Sequence, residues 1–504
     1  MSILDFIVLL PILAAIAAFA GMPARLSALT GSGLMLLLTG VALALFPEAP
    51  RDDAGFAFVA DRLIAESPAW SYAVGADGLT MILLLLTALV AFCAAWTSPV
   101  SQTGGYYGGC LLIAAGAAGA FVSTDLFFFY AFHELALVPT FLLIGIYGFG
   151  EKRAAAWKIT IYLGAASLVV LAGLAALVLH HGDGGLTFSI VELQQRAAAA
   201  EGGAPAQAWI YLTLLLGFGA LVSLFPLHSW AAPAYAAAPT PVAMLHAGVL
   251  KKFGIYGLIR VAQPILPEGA AVDWILNLTL LLLLGNILIM GLATIAQRRL
   301  EYMVAYSSVM HMGYLFLGLA GGSEIGRQGA IMLMFAHGAS VALLFLLCGK
   351  MRREIGHTDF DKLGGLAKTV PVMTLLFGIA AFASIGLPGF GNFAGEVLVF
   401  FGAFDEMRAG SGVGALQIAA MVAVWGVVIS AVYMLRAYRA VFLGEPGGPA
   451  PLTDLDLRQR VPAVLLVLAL LVAGVAPGLL LQLLDAGPDG AVEATVAAIR
   501  ACCP

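Results

Sequence analysis

The residues able to do chemistry stand in apolar surroundings. Glu134 lies within Phe-Phe-Phe-Tyr-Ala-Phe-His-Glu-Leu-Ala-Leu-Val-Pro (127–139), Lys251 and Lys252 are adjacent inside a second apolar run, and Glu396 follows Gly386-Leu387-Pro388-Gly389. His133, His228, His246, His311 and His337 fall in or at the ends of similar runs, whereas His180, His181 and His357 belong to polar segments. Carboxylates, amines and imidazoles taken out of water are drawn toward their neutral forms, which brings all three types within reach of proton exchange. The pattern therefore suits a proton relay. The plainer alternatives are buried ion pairs that fix helix packing and, for His133 and His246 above all, satisfied core histidines. Ser307 and Ser308 could assist His311, although hydroxyls in membrane helices commonly bond their own backbone.

Other chemistries are excluded by composition and motif. The 504 residues are 62% hydrophobic and 11% charged, with mean hydropathy +0.99. A soluble surface needs about 25% charged residues, so a water-soluble multidomain enzyme is ruled out. A net charge of −5 lacks the basic excess that nucleic acid requires. Cys93, Cys110, Cys348, Cys502 and Cys503 show no metal or disulfide spacing, and the glycines of 389–395 are neither preceded by a strand nor followed by a lysine, as a phosphate loop would be. The chain is expected to hold no metal and no cofactor of its own and to be driven by a partner.

The elements that must position these groups are membrane helices. Apolar stretches of the required length fall near 4–20, 28–46, 79–96, 106–123, 126–148, 157–179, 208–238, 240–262, 274–296, 302–320, 327–349, 370–404, 414–442 and 462–484. The expected fold is an all-α polytopic membrane protein of about fourteen transmembrane helices. The first span lacks a basic start and is read as a helix that stays. With the N-terminus outside, fifteen of the 24 Lys and Arg fall on the inner side and seven outside, including Arg408 and Arg500, which places both termini on the periplasmic side of a bacterial inner membrane.

Two spans are overlong and broken. Pro226 in the seventh deprives the Val222 carbonyl of its helical donor, and Pro388 in the twelfth does the same to Ser384. Breaks five spans apart suggest two inverted five-helix repeats, a transporter pattern, rather than two ordinary kinks. The expected organisation is 1–105 (helices 1–3), 106–262 (first repeat), 274–443 (second repeat) and 444–504 (helix 14 and tail).

From about residue 75 to 445 the sequence resembles the antiporter-like membrane subunits of respiratory complex I (NADH:quinone oxidoreductase), and among them the subunit M group. The resemblance rests on Phe-His-Glu-Leu-Ala-Leu-Val-Pro-Thr-Phe-Leu-Leu-Ile-Gly-Ile-Tyr-Gly (132–148), Pro-Leu-His-Ser-Trp (226–230), Ala-Pro-Thr (238–240) and Gly-Val-Leu-Lys-Lys-Phe-Gly-Ile-Tyr-Gly-Leu-Ile-Arg (248–260). It continues in Ala-Tyr-Ser-Ser-Val-Met-His-Met-Gly (305–313), Gly-Gly-Leu-Ala-Lys-Thr-Val-Pro-Val (364–372) and Leu-Pro-Gly-Phe-Gly-Asn-Phe-Ala-Gly-Glu (387–396). Membrane-bound hydrogenases and multisubunit cation/proton antiporters share this fold.

The resemblance implies a proton-translocating membrane-arm subunit, with antiporter-like neighbours on both sides and with FMN, iron–sulfur clusters and quinone in partner subunits. Carried over by position, Glu134 couples to a neighbouring subunit, Lys252 is the central lysine, His311 and His337 belong to the polar axis, and Glu396 is the exit carboxylate. His228 and His133 are further candidates. One family residue is missing: the seventh-helix lysine five positions before the proline is Leu221. Lys251, beside Lys252, is expected to supply the displaced charge, contacting Glu134 directly or through one or two waters with His133 assisting; the plainer reading is that it snorkels or pairs with a loop carboxylate. The rival readings are a cation/proton antiporter or hydrogenase subunit, and a structural membrane-arm subunit that moves no ions.

Overall fold

The computed structural model describes residues 1–66, 69–182, 185–199, 204–405, 412–445 and 452–485. Arg408, Arg500, Cys502, Cys503 and the end of the expected C-terminal unit lie outside the described residues. The chain is mostly helical, in the order α1 (Ile3–Phe19), α2 (Ala24–Leu45), hairpin β1 (Ala57–Glu66) and β2 (Ala69–Ala76), α3 (Gly78–Thr97), α4 (Gly104–Val122), α5 (Leu126–Tyr147), α6 (Lys152–His180), α7 (Ile190–Ala199) and α8 (Ala204–Val222). There follow α9 (Ala231–Ala237), α10 (Thr240–Ile265), α11 (Asp273–Ala296), α12 (Leu300–Ala320), α13 (Glu324–Ile355), α14 (Pro371–Ile385), α15 (Gly391–Ala403), α16 (Ala415–Phe442), α17 (Leu457–Val475) and α18 (Gly478–Asp485). Among the described residues, twelve helices are long and apolar enough to cross a membrane, and α1, α14 and α15 are shorter apolar helices.

Polar caps start several of these helices where apolar runs begin. Asp77, Thr103 and Asp125 accept from the first-turn amides of α3, α4 and α5, satisfying donors that water cannot reach. The most apolar stretches of α10 and α13 are entirely buried, so these two helices form the centre of the bundle. Their neighbours approach through small residues, because no hydrophobic effect drives helices together in lipid. At Gly402 of α15, for example, a Cβ would stand 2.3 Å from the Gly326 amide nitrogen of α13.

Two elements depart from the expected helices and loops. The antiparallel β1–β2 hairpin pairs Asp61 with Ala73 and Arg62 with Tyr72, and Trp70 packs against Phe127 and Phe128 of α5. Asp61 and Arg62, the latter bonded to buried Asp5 of α1, interrupt the apolar pattern, so the segment carries no helix signal. The short amphipathic α7 buries Ile190 and Leu193 and was likewise too polar to stand out.

Both expected breaks are present. The seventh span is α8 plus α9: α8 ends at Val222, and Ser223 takes a left-handed φ of +71°. The twelfth is α14 plus α15, and α14 stops at Gly386 with φ +83°. The first break is closed by Asn286 of α11, which the sequence reading did not single out. Its Oδ1 accepts from the Phe225 amide at 2.7 Å, and its Nδ2 donates to the Ser223 carbonyl at 3.0 Å and to the Val309 carbonyl at 2.9 Å. Asn286 is fully buried and lies in a π-helical turn, Gly285–Met290. The available signal was an amide in an otherwise apolar span, which is costly unless it is paired.

Replacing Asn286 with Ala orphans the Phe225 amide and the Ser223 carbonyl, each worth about 1–3 kcal/mol. The expected outcome is a marked drop in the thermal midpoint of the purified assembly; an unchanged midpoint would show that the break holds itself shut.

Candidate proton-transfer site

The eighth span, α10, is regular only to Gly248. It tightens into a 3₁₀ turn at Leu250–Lys252 and loosens into a π turn at Leu258–Ala262. Irregular backbone at membrane depth survives only where side chains take up the released groups. Lys252 does so: its Nζ donates to the Ala247 carbonyl at 2.7 Å and to His337 Nδ1 at 2.9 Å. Lys252 is fully buried.

From Lys252 a line of polar groups runs to the second break. The rings of His337 on α13 and His311 on α12 have centroids 5.5 Å apart. His311 Nδ1 lies 2.8 Å from the Ser307 carbonyl and Nε2 lies 2.9 Å from the Ser384 carbonyl. The latter is the acceptor that Pro388 was expected to release. A neutral imidazole has one N–H and can donate to one of these carbonyls, whereas the cation donates to both. Protonation of His311 therefore adds a second donor, and a neutral ring holding its proton on Nε2 keeps the contact at the break. Glu396, buried on α15, rests against the same turn, where a Cβ on Gly386 would stand 2.4 Å from its Oε2. Buried Asn392 adds an Nδ2 to Ser340 Oγ contact at 3.5 Å and leaves Oδ1 without a protein partner.

The first half is built differently. Glu134 on α5 is hydrogen-bonded through Oε1 to Ser167 on α6, which lies 3.1 Å from the Tyr130 hydroxyl. Its side chain is 37% exposed and lines a cavity of about 160 Å³ between α5 and α6 with Leu137, Thr160 and Gly164. The carboxylate thus faces the flank of the bundle. His133 Nδ1 lies 3.6 Å from Glu134 Oε1, and its ring stacks on Phe253 at 4.0 Å. His246 Nδ1 meets the Tyr235 hydroxyl at 3.2 Å, and its Nε2 has no protein partner. His228 sits in the seventh-span break, stacked on Phe225, with an unpartnered Nδ1. Leu221 is buried and supplies no charge.

Lys251 corrects one expectation. Its Nζ turns to the Ser308 carbonyl and hydroxyl of α12, at 3.2 and 3.4 Å, and lies 5.7 Å from the Tyr235 ring centre. It does not contact Glu134. The 3₁₀ turn sets the two consecutive lysines about 120° apart, and both point to groups other than Glu134. Among the described residues the basic neighbour of Glu134 is His133.

A further pair outside the sequence reading is Arg260 with Asp77 at 2.5 Å, which ties α10 to the start of α3. Burial pushes the Asp77 carboxyl up, but the Arg260 guanidinium and the Thr80 amide outweigh it and hold it below the ordinary carboxylate range. Among the described residues no cluster of His, Cys, Asp or Glu could hold a metal ion.

This arrangement has close counterparts. Residues 123–430 match the family model for the NADH:quinone oxidoreductase/Mrp antiporter membrane domain. The chain is 36% identical over 449 residues to NAD(P)H-quinone oxidoreductase chain 4 1 of Synechococcus sp. (strain JA-3-3Ab), covering 86% of this chain and 81% of that protein. It is 32% identical to NADH-quinone oxidoreductase subunit M of Pseudomonas aeruginosa, covering 82% and 81%. A chain of respiratory complex I from Thermus thermophilus with bound NADH superposes with a TM-score of 0.84 at 30% identity, covering 96% of this chain and 98% of that one. The chain belongs to the antiporter-like membrane subunits of the NADH:quinone oxidoreductase/Mrp antiporter family, in the group of complex I subunit M and chain 4.

Proposed function

We propose that this chain is the subunit M-type proton translocator of a bacterial NADH:quinone oxidoreductase, passing protons along Lys252, His337, His311 and Glu396. The observation that carries the reading is the succession of these groups: the 2.9 Å Lys252–His337 contact, the neighbouring imidazoles, and a break that His311 meets at Ser384 and Glu396 meets at Gly386. Neighbouring membrane-arm subunits are its partners, and electrons stay with partner subunits carrying FMN, iron–sulfur clusters and quinone, leaving this chain without a redox centre. We read α1 and the broken span α14–α15, added to the twelve long helices, as completing fourteen membrane crossings in two inverted repeats, with both termini periplasmic.

In this account Glu134 is the receiving end. Its partly exposed carboxylate lies where an adjacent subunit would cover it, so a charge change there alters the field felt by Lys252 through a low-dielectric interior. His133 takes the place of the missing seventh-helix lysine as the basic partner of Glu134. Lys251, held on Ser308, is a second buried amine within reach of α12, and His228 serves water entry at the first break.

Three outcomes test this in membrane vesicles by protons moved per NADH oxidised. Glu396→Gln should abolish translocation; full pumping would remove Glu396 from the exit. Gly386→Ala, with a side chain at positive φ that costs about 1–3 kcal/mol and a clash with the Glu396 carboxylate, should reduce pumping at least about tenfold. Normal pumping there would separate the turn from the carboxylate. His133→Gln should weaken pumping, and adding Leu221→Lys should restore part of it; a silent His133→Gln would show that Glu134 works without a basic neighbour.

A further inference from the structure

A second cavity, remote from the polar axis, has the chemistry of an anion site. It encloses about 650 Å³, within the roughly 300–1,000 Å³ of small-molecule sites, where the C-terminal ends of α5 and α13 meet the N-terminal ends of α6 and α12. Lys158, Arg299, Arg352 and Arg353 line it, and among the described lining residues Glu151 is the single acid. Parts of this charge are already engaged. Arg299 pairs with Glu301, Arg352 donates to the Ala236 and Ala238 carbonyls and lies 4.0 Å over the Phe149 ring, and Arg353 reaches Thr240 Oγ1 at 3.2 Å. Even so, the Arg352 Nε is buried without a protein partner, and cations outnumber acids in the lining.

The wall of this cavity runs on into an apolar stripe. Ala154 and Lys158 of α6 face the cavity, and Trp157, Ile161 and Leu168, at 3–4 and 7 residue spacing on the same side of the helix, are 60%, 63% and 65% exposed. A free anion would use the basic cavity and leave the stripe idle. An amphiphile uses both, with its charged head among the cations and its chains along α6. Tryptophan at the junction is the residue expected where head group meets hydrocarbon. Basic pockets between membrane helices on the Lys/Arg-rich side suit anionic head groups.

We infer that this cavity binds the phosphodiester head of an anionic phospholipid, whose acyl chains lie along the Trp157–Leu168 face of α6. The α6 face adjoins the Glu134 cavity lined by Thr160 and Gly164, but the test reads lipid adducts and does not depend on pumping.

The test uses the assembled complex in nanodiscs carrying phosphatidylglycerol or phosphatidylcholine with a photoreactive group in the acyl chain. Adducts are mapped by peptide mass spectrometry. Phosphatidylglycerol should label residues 154–168, phosphatidylcholine much less, and an excess of inorganic phosphate should not compete. Lys158→Glu with Arg353→Glu should cut the labelling at least about tenfold. Lys158→Arg with Arg353→Lys, which keeps the charge, should retain it and shows that any loss is not misfolding. Equal labelling by the two lipids, or unchanged labelling in the charge-reversed chain, overturns the proposal. Displacement by inorganic phosphate would reassign the cavity to a free anion, and adducts absent here because a neighbouring subunit's peptide fills the cavity would reassign it to a protein contact.

Discussion

A backbone carbonyl or amide released from a helix inside a membrane must find a partner within the protein, because no water or lipid will supply one. This constraint organises the centre of the molecule. The chain interrupts its helices at three central places, and each interruption is closed by one side chain. Asn286 closes the seventh span at Ser223 and Phe225, Lys252 takes the Ala247 carbonyl in the eighth, and His311 takes the Ser384 carbonyl in the twelfth. Two of the three closing groups can exchange protons. The residues that hold the fold together at depth are therefore among those on the proposed proton path, and a change in their charge is felt directly by the backbone.

The two halves use the constraint differently. An amide cannot titrate, so the first break is locked in every protonation state. An imidazole between two carbonyls donates to both only as the cation, so the second break is closed by a group whose bonding changes with one proton. Glu396 packed against Gly386 makes the same turn sensitive to a carboxylate. In the first half the break carries His228 but is closed by the amide, and the carboxylate stands away from it: Glu134 opens onto the flank with Ser167 and His133, and Leu221 contributes only packing. This division suits a first half that receives a signal from a neighbour and a second half that converts it into access.

Much of this was legible in the sequence because the membrane makes its demands conspicuous. Apolar length marked the helices, Pro226 and Pro388 marked the breaks, and the freed Ser384 carbonyl was identified before its partner was known. The intramembrane Lys252, His311, His337 and Glu396 stood out because charge and imidazole are costly there, and the fold places them around one axis. What escaped were partnerships between distant segments. Asn286 was a lone amide whose three backbone partners lie in the seventh-span break and on α12. The direction of Lys251 depends on the 3₁₀ turn at Leu250–Lys252, which no local pattern announces, and so its contact with Ser308 in place of Glu134 was missed. The β1–β2 hairpin and α7 were missed because polar residues interrupt their apolar periodicity.

The claim that His311 both closes the second break and carries protons is tested most directly by His311→Gln in the assembled complex, measuring protons translocated per NADH oxidised. The glutamine amide can still donate to the Ser384 carbonyl but cannot titrate, so it copies the locked state of Asn286. The account predicts normal assembly with translocation through this subunit lost. Normal assembly with undiminished translocation would contradict it.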